Sequence, residues 1–324
     1  MMDHSLAPEP RPGRNCPLSY RYAPVDLSHA AELEARTLFV VGGLYGNGPA
    51  LASILKRTTG EREPVTLVFN GDFNWFNANA AGFVAVNEEV LRHAALRGNV
   101  ETELAGDDDD AGCGCGYPDF VGDAEVERSN RIIERLCETA RAFPGLRSRL
   151  GALPARLVAR VRGVRIGVVH GDAESLAGWG FSQELLRERA RREAAAAWFA
   201  AADVRVFASS HSCLPVMQAL DTPRGRCVVA NNGAAGMPNF SGLRHGLITR
   251  ISASPAPDAL YGTTVESVRV EALPVAYDHA AFEREFLATW PAGSPAHASY
   301  HRRIVAGPSY RSGDAIRLEM PIAA

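Results

Sequence analysis

The apolar positions of this chain fall in short runs separated by longer amphipathic stretches. Leu38-Phe39-Val40-Val41 is an unbroken apolar run and predicts a strand over residues 37–41 that is buried on both faces. Residues 48–57 place apolar side chains at helical spacing. Val65-Thr66-Leu67-Val68-Phe69 predicts a second strand within residues 64–70, and residues 78–97 a second helix that runs into Gly98-Asn99. This strand–helix–strand–helix order predicts an α/β fold that presents polar residues at strand ends.

Residues 101–120 interrupt the pattern. An acidic run, Asp107 to Asp110, is followed by Cys113-Gly114-Cys115-Gly116-Tyr117-Pro118, which reads as an inserted loop. Residues 123–142 predict a helix with Val126, Ile132, Ile133, Leu136 and Ala140 on one face. Residues 156–162 and 165–169 predict a hairpin around Gly163 that ends at His170-Gly171-Asp172. A helix over 183–202 precedes a strand over 204–208 that ends at Ser210-His211-Ser212-Cys213. A strand over 227–230 leads into Asn231-Asn232-Gly233, and 246–251 and 265–273 predict closing strands. Five prolines, Pro8, Pro10, Pro12, Pro17 and Pro24, mark residues 1–35 as an extended arm. The expected organisation is this arm, a domain over 36–278 with the insertion at about 102–120, and a C-terminal helix at 280–289 with an irregular tail within 279–324.

Composition narrows the classes. A chain of 324 residues suits one large α/β domain or two small ones. A net charge of −3 gives no electrostatic reason for a nucleic-acid partner. No run approaches the ~20 apolar residues of a membrane span. The first residues include Asp3, His4, Glu9, Arg11 and Arg14, which is not the pattern of a signal peptide. Six scattered cysteines lack the density of a disulfide scaffold, so a reduced, cytoplasmic setting is expected.

Candidate chemistry gathers at the ends of the predicted elements. Asp72, Asn99, His170 and His211 follow one another there, and their oxygen and imidazole donors suit a divalent transition metal. The alternative for each is ordinary structure: Asp and Asn as turn residues, His as a core side chain. The loop after the first strand, Gly42-Gly43-Leu44-Tyr45-Gly46-Asn47, holds no carboxylate or histidine.

The order of Gly71-Asp72, Gly98-Asn99, His170-Gly171, Ser210-His211 and Asn231-Asn232-Gly233-Ala234 resembles the calcineurin-like metallophosphoesterase superfamily over residues 37–278. The family pattern is Asp-x-His, Gly-Asp-x-x-Asp, Gly-Asn-His-Asp/Glu, a lone His-Gly, then Gly-His-x-His. The resemblance implies a four-layer α-β-β-α sandwich with mixed sheets. It also implies two metals, bridged by the second-motif aspartate and by a hydroxide that attacks phosphorus.

Position by position, Gly43 stands where the family has its first aspartate, Tyr45 its first histidine and Cys213 its last histidine. Those three ligands are private to one metal. Asp72, Asn99, His170 and His211 match the four protein ligands of the other. Val100 replaces the histidine after the asparagine, and Trp75 the second aspartate of Gly-Asp-x-x-Asp.

The resemblance therefore implies a hydrolase of a small phosphorylated substrate with one divalent ion (Mn, Fe or Zn), the catalytic residues being those four ligands. Asp172 or a water would replace the missing acid, and Asn47 and Asn74 are candidate phosphate donors. One alternative rebuilds the second position with softer ligands, Cys113, Cys115, Cys213 and Tyr45. A disulfide between Cys113 and Cys115 ranks behind it. For Cys213 the plain alternative is a small buried hydrophobe that fills vacated space. Another alternative is a non-catalytic binding or scaffold protein on the same fold. The sequence does not speak to oligomeric state.

Overall fold

A computed structural model describes residues 11–106 and 111–318; the acidic run at 107–110 lies outside the described residues. The chain starts with two 3-10 turns, Leu18–Tyr20 and Pro24–His29, and strand β1 (Glu32–Ala35). Then come β2 (Thr37–Val41), α1 (Gly48–Thr58), β3 (Val65–Asn70), α2 (Ala80–Val90), β4 (Ala94–Leu96) and α3 (Asn99–Ala105). Helices α4 (Asp123–Arg141) and α5 (Pro144–Gly151) lead to the hairpin β5 (Arg156–Val161) and β6 (Val164–Val169). After α6 (Arg189–Ala202) follow β7 (Val206–Ser209), β8 (Val216–Thr222), β9 (Gly225–Asn231), β10 (Gly246–Ser252), β11 (Tyr261–Val265) and β12 (Val268–Val275). Helices α7 (His279–Thr289) and α8 (Pro295–Ala306) and the short β13 (Ile316–Arg317) complete it.

The strands form two mixed sheets, ordered β11-β12-β10-β2-β3-β4 and β1-β5-β6-β7-β9-β8-β13. In the first, β2, β3 and β4 are parallel; in the second, β6, β7 and β9 are. Strand β2 shows why its sequence is apolar without alternation. Leu38 and Val40 pack between the sheets with Val68, Ile166, Val168 and Ala208, while Phe39 and Val41 join Ile54, Phe83 and Leu273 in the core on the helical side. A second helical core, built on Phe199 and Trp198 of α6, covers the outer face of the other sheet against Phe207 and Val229. The layers therefore stack α-β-β-α, and strands buried on both faces need apolar residues at every position.

Several expectations need correction. The helix expected over 78–97 stops at Val90, because Ala94–Leu96 pairs in parallel with Val68–Asn70 and becomes β4. Ladder pairing overrides helix propensity there. The helix expected over 183–202 starts only at Arg189, after a 3-10 turn at Leu185–Arg187. The closing strand expected at 265–273 is a hairpin, β11 and β12, that turns at Glu266 with φ 50°. The N-terminal arm is not wholly extended, since it forms 3-10 turns at Leu18–Tyr20 and Pro24–His29 before its extended end, β1, pairs with β5. The tail beyond residue 289 contains α8, with Ser294 capping His297 N–H and Pro295 in its first turn, a start signal legible in the sequence. Among the described residues no helix is long and apolar enough to cross a membrane.

Candidate metal centre

The loops that matter leave the carboxyl ends of β2, β3 and the edge strand β4 in one sheet and of β6 and β7 at the middle of the other. Glycines set how closely they approach. A Cβ at Gly71 would lie 2.6 Å from His170 Nδ1 and from Gly98 N, and one at Gly98 would lie 2.4 Å from Asp72 Oδ1. The glycines before Asp72 and Asn99 are thus the space in which the ligands meet. Asp72 itself is left-handed, with φ 53°, as are Tyr45 and Cys213 at 57° and 60°. Non-glycine residues rarely hold that conformation, and here it clusters at one site.

Asp72, Asn99, His170 and His211 converge, and all four are buried. His170 Nε2 lies 3.3 Å from Asp72 Oδ1, 3.2 Å from Asn99 Oδ1 and 3.1 Å from His211 Nδ1. The outward atoms fix what faces inward. His170 Nδ1 donates to the Asn70 carbonyl at 2.9 Å and His211 Nε2 to the Cys115 carbonyl at 2.9 Å. His211 then turns a lone pair toward the centre, while at His170 burial is outweighed by the Asp72 carboxylate, which raises the group and favours a proton on its Nε2 there. Asn99 Nδ2 donates to the Cys113 carbonyl at 2.9 Å, which aims its Oδ1 inward.

In the metal-free chain a proton on His170 Nε2, favoured by the Asp72 charge, faces the Asp72, Asn99 and His211 acceptors, and a divalent ion would take that proton's place among them. Donors bound to a single ion at about 2.0–2.1 Å in a tetrahedron stand about 3.3 Å apart, close to the separations found here. The residues fit a divalent transition metal in donor type, spacing and direction. Burial and the neighbouring His170 push His211 down to about 4, so its imidazole is neutral at ordinary pH. Burial works against the Asp72 carboxylate, but His170 outweighs it and holds the group below its usual range.

Glu101, which the sequence reading passed over, holds two of these loops together. Its Oε2 accepts from Asp72 N–H at 2.7 Å and Gly98 N–H at 3.0 Å, and its Oε1 from Asn74 N–H at 3.2 Å. Burial, and then the Asp72 charge, push it up to about 7. Its signal was its place three residues after Gly98, at the third position of α3, where a carboxylate reaches back to the helix start.

The other half of the cavity is built from neutral groups. A Cβ at Gly43 would lie 2.9 Å from Tyr45 Cζ and Oη, so the Tyr45 phenol fills the space that a side chain at 43 would use. Its hydroxyl lies 2.8 Å from Cys213 Sγ. Burial raises both Tyr45 and Cys213 above their ordinary values, so both stay protonated at neutral pH. Cys113 and Cys115 do not join them: they are bonded to each other as a disulfide, with Cα atoms 5.3 Å apart. That corrects the four-residue softer site, since neither sulfur has a thiolate to offer.

The candidate phosphate donors and acid are committed elsewhere. Asn47 caps α1 through Ala50 N–H and donates to the Gly236 carbonyl. Asn74 is engaged with Asn87 and Glu101. Asp172 accepts from the N–H groups of Glu174, Ser175 and Gly180, which leaves both its oxygens organising the loop that carries Trp179.

A cavity of about 40 Å³ remains above the centre, lined by Asp72, Asn99 and His211 and by an aromatic wall of Tyr45, Trp75, Tyr117, Trp179 and Tyr300. Tyr300 belongs to α8, in the stretch expected to be irregular, and Arg303 one turn on donates to the Cys213 carbonyl at 2.7 Å. Tyr45 also borders a groove of about 600 Å³ lined by Phe76, Arg135 and Phe286.

By sequence, no known protein family and no curated protein matches the chain. Solved structures do. A metallophosphoesterase from Sphaerobacter thermophilus covers 84% of this chain and 100% of its own, with a TM-score of 0.53 and 17% identity. A hypothetical protein from Pyrococcus horikoshii OT3 covers 86% of this chain and 100% of its own, with a TM-score of 0.57 and 15% identity. The chain has the metallophosphoesterase fold. Identities this low speak to fold alone, because function lives in the site.

Proposed function

We propose that this chain, built on that fold, is a mononuclear metal-dependent hydrolase of a small phosphate ester. The observation that carries the reading is the convergence of a carboxylate, an amide oxygen and two imidazoles at metal-ligand spacing. Asp72, Asn99, His170 and His211 hold the ion, and that donor set suits Mn, Fe or Zn. When bound, the ion supplies Lewis-acid polarisation of a phosphoryl oxygen and lowers the pKa of water.

The chain's own groups do the rest. The Asn70, Cys113 and Cys115 carbonyls hold the ligands in the tautomer and orientation that binding needs. The aromatic wall excludes bulk water. Tyr45 Oη holds a proton beside the ligands and is placed to donate a hydrogen bond to a phosphoryl oxygen. The groove beyond Tyr45 is the space for the ester's organic group, reached when that ring turns.

A second reading, a non-catalytic metal-bearing descendant, is favoured by the cavity itself. About 40 Å³ admits a few waters but not a whole phosphoester, and Val100 supplies no proton. Turnover of p-nitrophenyl phosphate or its diester by the metal-loaded chain decides. Activity abolished in His211→Ala supports the hydrolase; a fully loaded chain that turns over neither ester sinks it and leaves the second reading.

A further inference from the structure

We propose that Arg135 is a specificity residue that binds an oxyanion on the organic group of the ester, so that the substrate is a phosphate ester whose apolar body carries a second acidic group. The inference rests on the reading that the groove beyond Tyr45 holds that organic group. It goes further by naming the group's chemistry and the residue that reads it.

The groove, at about 600 Å³, has the size of a small-molecule site. Phe76, Phe282 and Phe286 give it an apolar wall. Phe76 joins that wall to the metal cavity: its ring centroid lies 5.2 Å from that of Phe286 and 5.8 Å from that of Tyr45, which lines both spaces. The Phe76 backbone is left-handed, with φ 71°, a conformation that bulky residues rarely hold. Trp290 Nε1 donates to its carbonyl at 2.8 Å, which ties the strained turn to a buried indole.

That indole is also the platform for Arg135. The guanidinium carbon of Arg135, on α4, lies 4.5 Å from the Trp290 ring centroid. With its N–H engaged by Phe76, the ring beneath the guanidinium is fixed. Stacking uses the flat face of a guanidinium and leaves its edge of N–H donors free for a bidentate acceptor. Among the described residues no carboxylate or carbonyl takes that edge, and Arg135 is the cationic residue of the groove lining. Glu285 lines the same groove from its exposed side without pairing with Arg135, and its charge disfavours an anion there. An apolar wall with one oriented, unpaired fork suits an apolar body with one anionic end, either a carboxylate or a second phosphate.

The test is equilibrium dialysis of the full chain, as purified, against three probes that share one apolar body: 1-naphthoate, 1-naphthylphosphonate and the neutral 1-naphthalenemethanol. At least one anion should bind more tightly than the alcohol by roughly tenfold or more, the scale of a hydrogen-bonded charge pair. Whichever anion binds better identifies the second acidic group as a carboxylate or a phosphate. Arg135→Met should bring the anions down to the affinity of the alcohol and leave the alcohol unchanged, which also shows that the variant is folded. Ala85→Trp, which fills the groove, should weaken all three. Equal binding of anions and alcohol, no binding of any probe, a preference that survives Arg135→Met, or affinities unchanged in Ala85→Trp would each overturn the inference and leave the metal centre standing. None of these readings depends on turnover. A chain that shows the preference yet hydrolyses no ester contradicts the proposed activity and not the role of Arg135.

Discussion

His211 and Cys213 are two residues apart on one loop, yet they belong to halves of the cavity that handle burial in opposite ways. On the His211 side, Asp72, Asn99 and His211 turn acceptor atoms toward His170 Nε2, while backbone carbonyls hold the outer atoms of His170, His211 and Asn99. On the Cys213 side, the Tyr45 hydroxyl and the Cys213 thiol satisfy each other and carry no charge. A buried charged cluster whose acceptors share one proton is costly in a protein interior, whereas a buried neutral pair is inexpensive. The difference shows how one cavity can present a cluster suited to a cation beside a half that closes on itself, where the Tyr45 phenol fills the space beside Gly43 and pairs with Cys213.

The largest effect should come from breaking the retained half. His170→Ala removes the atom that all three other donors face. Metal affinity should fall by more than the roughly 10–100-fold typical of an outer partner, measured by competitive chelator titration. Next is conversion of the Tyr45–Cys213 half into metal ligands. The triple change Gly43→Asp, Tyr45→His, Cys213→His should raise metal content toward a second equivalent. Gly43→Asp alone should instead destabilise the fold by about 1–3 kcal/mol in urea titrations, because its side chain meets the Tyr45 ring and position 43 is left-handed. The two halves would then be shown to exclude each other through Tyr45.

A pH series separates the halves more gently. The folded state holds His211 at about 4, below the 6.5 of a free imidazole. Between those values the unfolded chain binds a proton that the folded chain refuses. Stability contributed by the neutral ring is therefore complete above pH 6.5 and falls as the pH drops toward 4, by about 3 kcal/mol in the metal-free chain. His211→Asn should lack that slope in urea melts across the series. The smallest effect belongs to Tyr45→Phe, which removes one hydrogen bond from a neutral pair. It should cost about 1 kcal/mol and leave metal affinity unchanged.

The sequence carried much of the layered architecture. The unbroken run of β2 and the facial pattern of α4 are direct consequences of two-sided and one-sided burial. It carried less where pairing decides. Ala94-Ala95-Leu96 has nothing strand-like in it and becomes β4 only because β3 lies beside it. The ligand candidates were legible as an ordered set at element ends. Their supports were not, because a carbonyl such as that of Cys115 is available in every residue and its role depends on where the insertion folds. Glu101 had a local signal in its helix-start spacing, while Tyr300 had none, because it reaches the cavity from a helix some 200 residues away along the chain.

The central claim is one metal position, at Asp72, Asn99, His170 and His211, beside a half of the cavity filled by the Tyr45–Cys213 pair. Metal stoichiometry of the purified full chain, by elemental analysis after growth in metal-supplemented medium, tests it most directly. The account predicts one equivalent per chain, lost in His211→Ala and kept in Tyr45→Phe and Cys213→Ser. Two equivalents, none, or one equivalent that survives His211→Ala and disappears in Cys213→Ser would contradict it.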